Sequence, residues 1–135
     1  MPVEHIRLSQ RAKEQLVKLK RHTGVQHWNE LCRWAFCVSL RELSLPPAAP
    51  PADSTVEMTW KVFGGAHADI YWALLRHRCH ADGLGVTPQV LAEQFRRHLH
   101  RGIALLATDQ VRSITDLLQR ALHGRESLTD SNQQS

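Results

Sequence analysis

The chain has 135 residues, 42% of them hydrophobic, and its 17 Lys and Arg residues outnumber its 13 Asp and Glu residues to give a net charge of +4. This size suits a single domain with a modest core that oligomerisation could complete. No apolar run approaches the ~18 residues needed to cross a bilayer, and the N-terminus lacks a signal-peptide core, so we expect a soluble, cytoplasmic protein.

The excess positive charge lies in the first third of the chain. Residues 1–44 contain eight Lys and Arg residues against four Glu residues, whereas residues 45–135 contain nine basic and nine acidic residues. A net charge of +4 does not by itself distinguish nucleic acid from anionic lipid or mere solubility. The segregation of the charge is better evidence for an anion-binding face, and oligomerisation would multiply it.

A short segment of alternating polarity opens the chain. Ile6 and Leu8 fall on one side of an extended strand, and His5 and Arg7 fall on the other. One strand is not stable alone, and no complementary strand follows within hairpin distance. The same strand of a second chain is therefore the expected partner.

Residues 10–23 are predicted to form a helix with Ser9 as its N-cap and Gly24 as its left-handed C-cap. One apolar stripe consists of Ala12, Leu16 and Leu19. The rest of the surface is basic without the usual balance of acids, which favours an anion-binding face over an ordinary solvated one. The candidate DNA-binding residues are Arg7, Arg11, Lys13, Lys18, Lys20 and Arg21.

A second helix is predicted over about residues 27–43, and it is apolar nearly all round. Its apolar residues are Trp28, Leu31, Cys32, Trp34, Ala35, Phe36, Val38, Leu40 and Leu43. The rest of the subunit, a subunit interface or both could bury such a helix. Because one small subunit would not bury it comfortably, we expect a homo-oligomer with Leu31 and Phe36 at the interface.

The order of strand, capped basic helix, glycine turn and apolar helix is that of a ribbon-helix-helix unit. In such a unit two chains share a strand pair and bind DNA through strand side chains or helix N-termini. The predicted fold is therefore mainly α, with a ribbon-helix-helix-like unit over residues 4–44 followed by a short strand and further packed helices.

The middle of the chain begins with a proline-rich segment. Residues 45–54 contain four prolines and are predicted to be a linker or surface loop rather than a docking ligand. Residues 55–63 then alternate in polarity and predict a half-buried strand that ends at Gly64. The apolar face of this strand consists of Val56, Met58, Trp60 and Val62.

Three further helices are predicted over about residues 68–80, 87–107 and 110–123. The apolar side of the first consists of Ile70, Tyr71, Leu74 and Leu75. Residues 1–123 are expected to form one domain, and residues 124–135 have too little apolar content to be more than a disordered tail.

The helix over residues 87–107 carries a second basic cluster. Its members are Arg96, Arg97, His98, His100 and Arg101. Because this half of the chain has no net charge, we interpret the cluster as solvated surface or a protein interface rather than a DNA contact.

The residues that could bind a metal or support catalysis do not have the spacing that such sites require. His77, Cys79 and His80 lie near one helix end, but no second ligand pair stands at zinc-finger spacing, so no metal is expected. The three cysteines are expected to be reduced thiols. No phosphate-binding loop, nucleophile elbow or metalloprotease helix occurs, so neither a cofactor nor catalysis is expected, although a site built from distant residues stays open.

The N-terminal unit contains a set of short motifs. They are Arg7-Leu8-Ser9, Leu16, Leu19-Lys20, Thr23-Gly24, Asn29, Leu31, Arg33, Ala35-Phe36 and Ser39-Leu40. These motifs resemble the DndE family of DNA sulfur-modification (phosphorothioation) proteins, and Phe63-Gly64 and the helix that begins near Ala68 are similar too. The resemblance is strong over residues 4–43, looser over residues 58–108 and absent from the tail.

The resemblance implies a pathway and partners. It implies an accessory subunit that binds duplex DNA, preferably nicked, for an ATPase and a sulfurtransferase that replace a non-bridging phosphate oxygen with sulfur. It also implies a homotetramer.

Two other classes of protein fit parts of the sequence. A ribbon-helix-helix repressor or antitoxin would read bases with His5 and Arg7, but a base reader exposes several such side chains, and here only Arg7 fits well. A structural adaptor would use its lysines only for solubility, and retention of DNA separates it from the other two.

Overall fold

The computed structural model describes residues 5–108 and 111–122, so the predicted tail lies outside the described residues. Strands β1 (His5–Arg7) and β2 (Glu57–Thr59) form an antiparallel sheet. The helices are α1 (Gln10–Thr23), α2 (Trp28–Arg41), α3 (Trp60–Gly64), α4 (Ala68–Ala81) and α5 (Pro88–Thr108). Residues 114–122 are helical as well. The predicted fold class, mainly α, is confirmed.

Helix α1 begins and ends at the predicted caps. Ser9 Oγ accepts a hydrogen bond from Ala12 N at 3.1 Å, an interaction worth about 1 kcal/mol at an N-cap. Gly24 has φ 77°, a left-handed conformation that costs other residues energy, and its N–H donates to Lys20 O. The predicted stripe is buried, which orients the basic residues of the helix toward its flanks and outer side.

The pairing of β1 corrects the expectation that a second chain supplies its partner. His5 lies opposite Thr59, and Arg7 lies opposite Glu57, so both strands of the sheet belong to the same chain. Arg7 Nη2 lies 3.0 Å from Glu57 Oε2 on the exposed face. The ribbon of this fold is thus intramolecular, unlike the two-chain ribbon of a ribbon-helix-helix unit.

The strand predicted over residues 55–63 is shorter than expected, because the chain turns into α3 after Thr59. Thr59 Oγ1 accepts a hydrogen bond from Val62 N at 3.1 Å and caps α3. The turn allows Trp60 and Phe63 both to enter the core, whereas Val62, expected to be buried, is 50% exposed. The described pairing with β1 accordingly ends at Thr59, which lies opposite His5.

Helix α2 lies at the centre of the subunit and packs mainly against α5. Phe36 of α2 makes an edge-on contact with Phe95 of α5, with ring centroids 5.1 Å apart. Leu31 and Phe36 are both fully buried within this subunit, so the expectation that they form a subunit interface is wrong. At Gly102 the backbones of α5 and α2 approach so closely that an added Cβ would lie 1.8 Å from Ala35 O.

The proline-rich segment is a surface loop held against the body. Ser54 N and Ser54 Oγ both donate to Leu8 O, at 3.2 Å and 2.7 Å. Gln10 N donates to Asp53 Oδ1 at 2.7 Å, and Arg96 Nη2 donates to Pro50 O. The loop therefore fixes the path of the chain between α2 and β2.

Helices α4 and α5 begin and end close to the predicted residues, but the face that α4 buries differs from the predicted one. Helix α4 buries Leu75 and Cys79, but Ile70 and Leu74, assigned to its apolar side, are 56% and 39% exposed. Helix α5 begins as predicted, with Val90 N donating to Thr87 Oγ1 at 3.3 Å. The exposed apolar residues therefore lie on one side of α4.

The expectation that the basic cluster of α5 is solvated surface is wrong for three of its five members, His98, His100 and Arg101. His98 and His100 are buried, and Arg101 donates to Ser39 Oγ and Ser39 O, both at 2.8 Å. Arg78 donates to Leu40 O at 2.8 Å, so two guanidinium groups satisfy carbonyls at the C-terminus of α2. Much of the cluster serves the fold.

Candidate nucleic-acid interface

The buried stripe of α1 divides its basic residues among three surfaces. Arg11 and Lys18 border cavities shared with α5, so they lie on the side of α1 that faces that helix. Lys13 and Lys20 lie on the opposite flank, and Arg21 is exposed on the side opposite the stripe. The six candidate residues therefore do not form one patch.

The flank that carries Lys13 and Lys20 is partly occupied by contacts within the chain. Lys13 Nζ donates to Thr55 Oγ1 at 3.3 Å, and Lys20 Nζ lies 5.9 Å from the centroid of the Trp28 ring. A cation held over an aromatic face is stabilised there by about 0.5–1 kcal/mol at exposed sites.

The charge of Arg7 is compensated by a carboxylate. Its guanidinium lies 3.0 Å from Glu57 Oε2, and His5 Nδ1 lies 3.4 Å from Glu57 Oε1. This exposed ion pair contributes at most about 1 kcal/mol of stability. Glu57 thus places a negative charge beside His5 and Arg7, the two strand residues with which a repressor would read bases.

The other flank of α1 borders a groove. Two adjoining cavities, of about 280 Å³ and 200 Å³, lie between α1 and α5 and share Gln15 as a lining residue. We call this surface the α1–α5 groove, and its defining residues are Arg11, Gln15, Lys18, Arg97, Ala104 and Arg112. Residues of α1, of α5, of the proline-rich loop and of the segment after α5 thus line it together.

Three cations of the α1–α5 groove have no ion-pair partner within residues 5–108 and 111–122. They are Arg11, Lys18 and Arg112. Arg97 is paired through Nε with Glu93 Oε1 at 2.8 Å on an exposed part of α5. Unpaired cations in a concave surface raise the local potential for anions more than the same charges on a convex one.

The sequence identified Arg11 and Lys18 but missed Arg97 and Arg112 as members of this site. Arg97 had a signal, the basic cluster of α5, which was assigned to solvated surface or a protein interface. Arg112 had none, because an isolated arginine after a helix joins α1 only through the packing of α1 on α5.

The residues considered as metal ligands do not converge. His77 and His80 are exposed, whereas Cys79 is buried, and burial raises the pKa of its thiol. Within the described residues, no three His, Cys, Asp or Glu side chains gather in a way that could hold a metal ion. Among the helices of the described segments, none is both long and apolar enough to cross a membrane.

A second surface is apolar. A cavity of about 560 Å³ is lined by residues of α2, α4 and the helical segment 114–122, among them Trp34, Tyr71 and Ile114. Exposed apolar side chains are also found on α4 and the last segment: Ile70, Leu74, Ile114, Leu118 and Leu122. Several large exposed apolar residues on two such elements suit a protein interface better than solvent.

Comparison with known proteins gives a consistent result. A family model described as DNA sulphur modification protein DndE matches residues 5–113. The crystal structure of DndE from Escherichia coli B7A, involved in DNA phosphorothioation modification, has 23% identity and a TM-score of 0.64, and the match covers 78% of this chain and 98% of that one. A DndE mutant involved in DNA phosphorothioation has 21% identity and a TM-score of 0.59, with 76% of this chain and 95% of that chain covered. At these identities the two structures establish a common fold. No curated protein matches the chain.

Proposed function

The chain belongs to the DndE family of DNA sulphur modification proteins, and from this premise we propose that it is the DNA-binding accessory subunit of the phosphorothioation machinery. In this role it holds the backbone of duplex DNA in the cytoplasm and performs no catalysis itself. An ATPase and a sulfurtransferase of the same system act on the DNA that it holds. Nicked duplex is the preferred substrate that the resemblance to the family implies.

One observation carries the proposal of DNA binding. Arg11 and Lys18, which have no ion-pair partner among the described residues, project from α1, in the part of the chain that contains the whole excess of positive charge. Lys and Arg side chains bind phosphates by charge, so these two suit a protein that grips the backbone.

Strand β1 gives the competing repressor hypothesis less support than α1 gives the proposal of backbone binding. Arg7, the one strand residue suited to bidentate recognition of a base, is paired with Glu57 at 3.0 Å. Reading DNA with it would require that ion pair to break. The intramolecular pairing of β1 with β2 also supplies the partner strand that a repressor dimer would provide.

Affinity for DNA is expected to fall steeply with salt and to depend little on sequence. Each neutralised phosphate contributes about −0.9 to the slope of log Kobs against log salt, so three contacts per subunit give a slope of about −3. Mobility shift with intact, nicked and single-stranded oligonucleotides of two unrelated sequences, at several salt concentrations, measures both properties. A slope near zero, or strong preference for one operator-like sequence, would favour the repressor.

We propose that the protein is a homotetramer, as the resemblance implies, with the apolar surface of α4 and residues 114–122 at an interface. Light scattering at micromolar concentration should then give a mass of four times 15.4 kDa. Replacing Ile114 and Leu118, 45% and 43% exposed, by Glu should lower that mass because the charges would be buried in the interface.

The matched control for the interface is Val17→Glu, since Val17 is 40% exposed on α1 and distant in sequence from the proposed interface. This variant should keep the mass of the unmodified protein. A stable, folded monomer at micromolar concentration would rule out the tetramer, and a loss of mass only in the control would place the interface on α1.

A further inference from the structure

We propose that the α1–α5 groove is the phosphate-binding surface of the protein, with Arg11, Lys18 and Arg112 as the cations that neutralise the DNA backbone. This assignment is carried by the packing of α1 against α5 and the residue pair 111–112. That packing brings together, around two adjoining cavities, three cations that have no ion-pair partner in the described part of the chain. The assignment rests on the proposed function and specifies where the DNA lies.

The charges available to a ligand differ between the two flanks of α1, although the sequence spacing is the same on both. Arg11 and Lys18 are seven residues apart, as are Lys13 and Lys20. Lys13 donates to Thr55 Oγ1 and Lys20 lies over the Trp28 ring, so a phosphate would have to compete with contacts already made. The Arg11 and Lys18 side chains have no such contacts with the described residues.

The spacing of the groove cations suits a duplex backbone. Seven helical residues span about 10.5 Å, and three base-pair steps of a duplex rise about 10 Å. Arg11 and Lys18 are therefore separated along α1 by roughly the axial rise of three base-pair steps. Arg112 and Lys18 both line the larger cavity, where both could approach one phosphate.

The dimensions of the groove fix how the DNA would lie. Cavities of about 200–280 Å³ admit a phosphate group or a water cluster but not a duplex. The backbone would therefore rest along the rim, with phosphate oxygens directed toward Gln15 and the cations. Arg97 extends the rim beside Arg11, since Glu93 accepts only from its Nε.

Arg101 also borders the groove but serves the fold. Its side chain donates to Ser39 Oγ, Ser39 O, Ser44 O and Ser44 Oγ, which ties α5 to the end of α2 and the start of the proline-rich loop. Reversing its charge would remove these four hydrogen bonds and bring a carboxylate toward the same oxygens. Charge reversal on α5 is thus no clean test of DNA binding.

Two triple variants test the assignment with equal changes of charge. The groove variant is R11E/K18E/R112E and the control variant is K13E/K20E/R21E, and each changes the net charge from +4 to −2. Fluorescence anisotropy with a labelled nicked duplex at constant salt should show a loss of affinity of about 100-fold for the groove variant and less than about fivefold for the control. The salt slope should become shallower by about three units in the groove variant only.

The possible outcomes distinguish a failure of the groove assignment from a failure of the proposed function. Loss of binding in the control with retention in the groove variant, both helical by circular dichroism, would place the DNA on the other flank while DNA binding itself stands. Equal losses would mean that binding follows net charge, which contradicts the groove. If the unmodified protein retains none of the DNA forms at low salt, the proposed function fails. Should a Glu variant not fold, the neutral sets R11Q/K18Q/R112Q and K13Q/K20Q/R21Q provide the same comparison.

Discussion

Replacing Gly102 by alanine is expected to destabilise the protein by about 3 kcal/mol or more, because the added methyl group would overlap the backbone of α2. The new Cβ would lie 1.8 Å from Ala35 O and 2.3 Å from Ala35 C. These are backbone atoms inside a helix, so they cannot rotate away as a side chain could. At an exposed helical site, replacing glycine by alanine would stabilise a protein by up to about 1 kcal/mol. The close packing at Gly102 therefore reverses the sign of the stability change.

Urea unfolding followed by circular dichroism measures this effect, with Gly83→Ala as the control. An added Cβ at Gly83 meets no atom within 4 Å, but φ is +75°, so only the backbone preference is lost, at a cost of about 1–2 kcal/mol. If Gly102→Ala unfolds at the same urea concentration as the unmodified protein, the close crossing of α2 and α5 does not exist in solution.

Features encoded within a few neighbouring residues were predicted well. Helix α1 has the predicted bounds, because Ser9 and Gly24 act on the residues beside them through a side-chain oxygen and a left-handed backbone. The same holds for the start of α5, where Thr87 accepts from Val90 N. Such signals need no knowledge of the rest of the fold.

Features that depend on distant packing were not predicted. The partner of Arg7 in the sheet is Glu57, 50 residues further along and beyond the proline-rich loop, so local spacing gave no sign of it. His98 and His100 looked like surface residues by type. Their burial follows from the close approach of α5 to α2 and to the start of α1, which no periodicity reveals.

The candidate site, too, was predicted only in the part that local sequence reveals. Arg11 and Lys18 were identified because the excess of basic residues on α1 is visible in the sequence. The sequence could not separate them from Lys13 and Lys20, since the two pairs have the same spacing. Only the tertiary structure shows which pair borders the groove and which pair contacts Thr55 and Trp28.

The stability of the protein is expected to fall as the pH drops from about 6.5 toward 4, because two buried histidines must be neutral in the folded state. Burial, together with the positive charges of Arg101 and Arg78, lowers the pKa of His98 from 6.5 to about 4, with Asp82 acting in the opposite direction. Burial also lowers the pKa of His100, although its hydrogen bond to the Arg96 backbone raises it in part.

The arrangement of His100 shows why its protonation is unfavourable. Its Nδ1 lies 2.8 Å from Arg96 O and donates to it, which leaves Nε2 as the acceptor for Ser9 N at 3.1 Å. A second proton on Nε2 would face the Ser9 N–H and break the contact that holds the N-cap of α1. His98 also has close polar neighbours. Its Nδ1 lies 2.9 Å from Ser39 Oγ, and Arg101 donates a hydrogen bond to the same oxygen.

The sign of the pH effect follows from the lowered pKa values. Between pH 6.5 and about 4 the unfolded chain binds protons that the folded chain does not, so the stabilisation is fully present above pH 6.5 and is lost as the pH falls. His98 can contribute as much as about 1.4 kcal/mol per pH unit inside this window and about 3 kcal/mol in total by pH 4, and the lowered pKa of His100 acts in the same direction.

Urea unfolding at pH 7.5, 6.0 and 5.0 tests this prediction, with His98→Asn as the decisive variant. Asparagine keeps a polar group near Ser39 but does not titrate, so the variant should be less stable than the parent at pH 7.5 and lose stability more slowly on acidification. His77→Asn, at an exposed position on α4, is the matched control and should keep the parent's pH dependence. Equal slopes for the parent and His98→Asn would show that His98 is not held neutral by its burial beside Arg101.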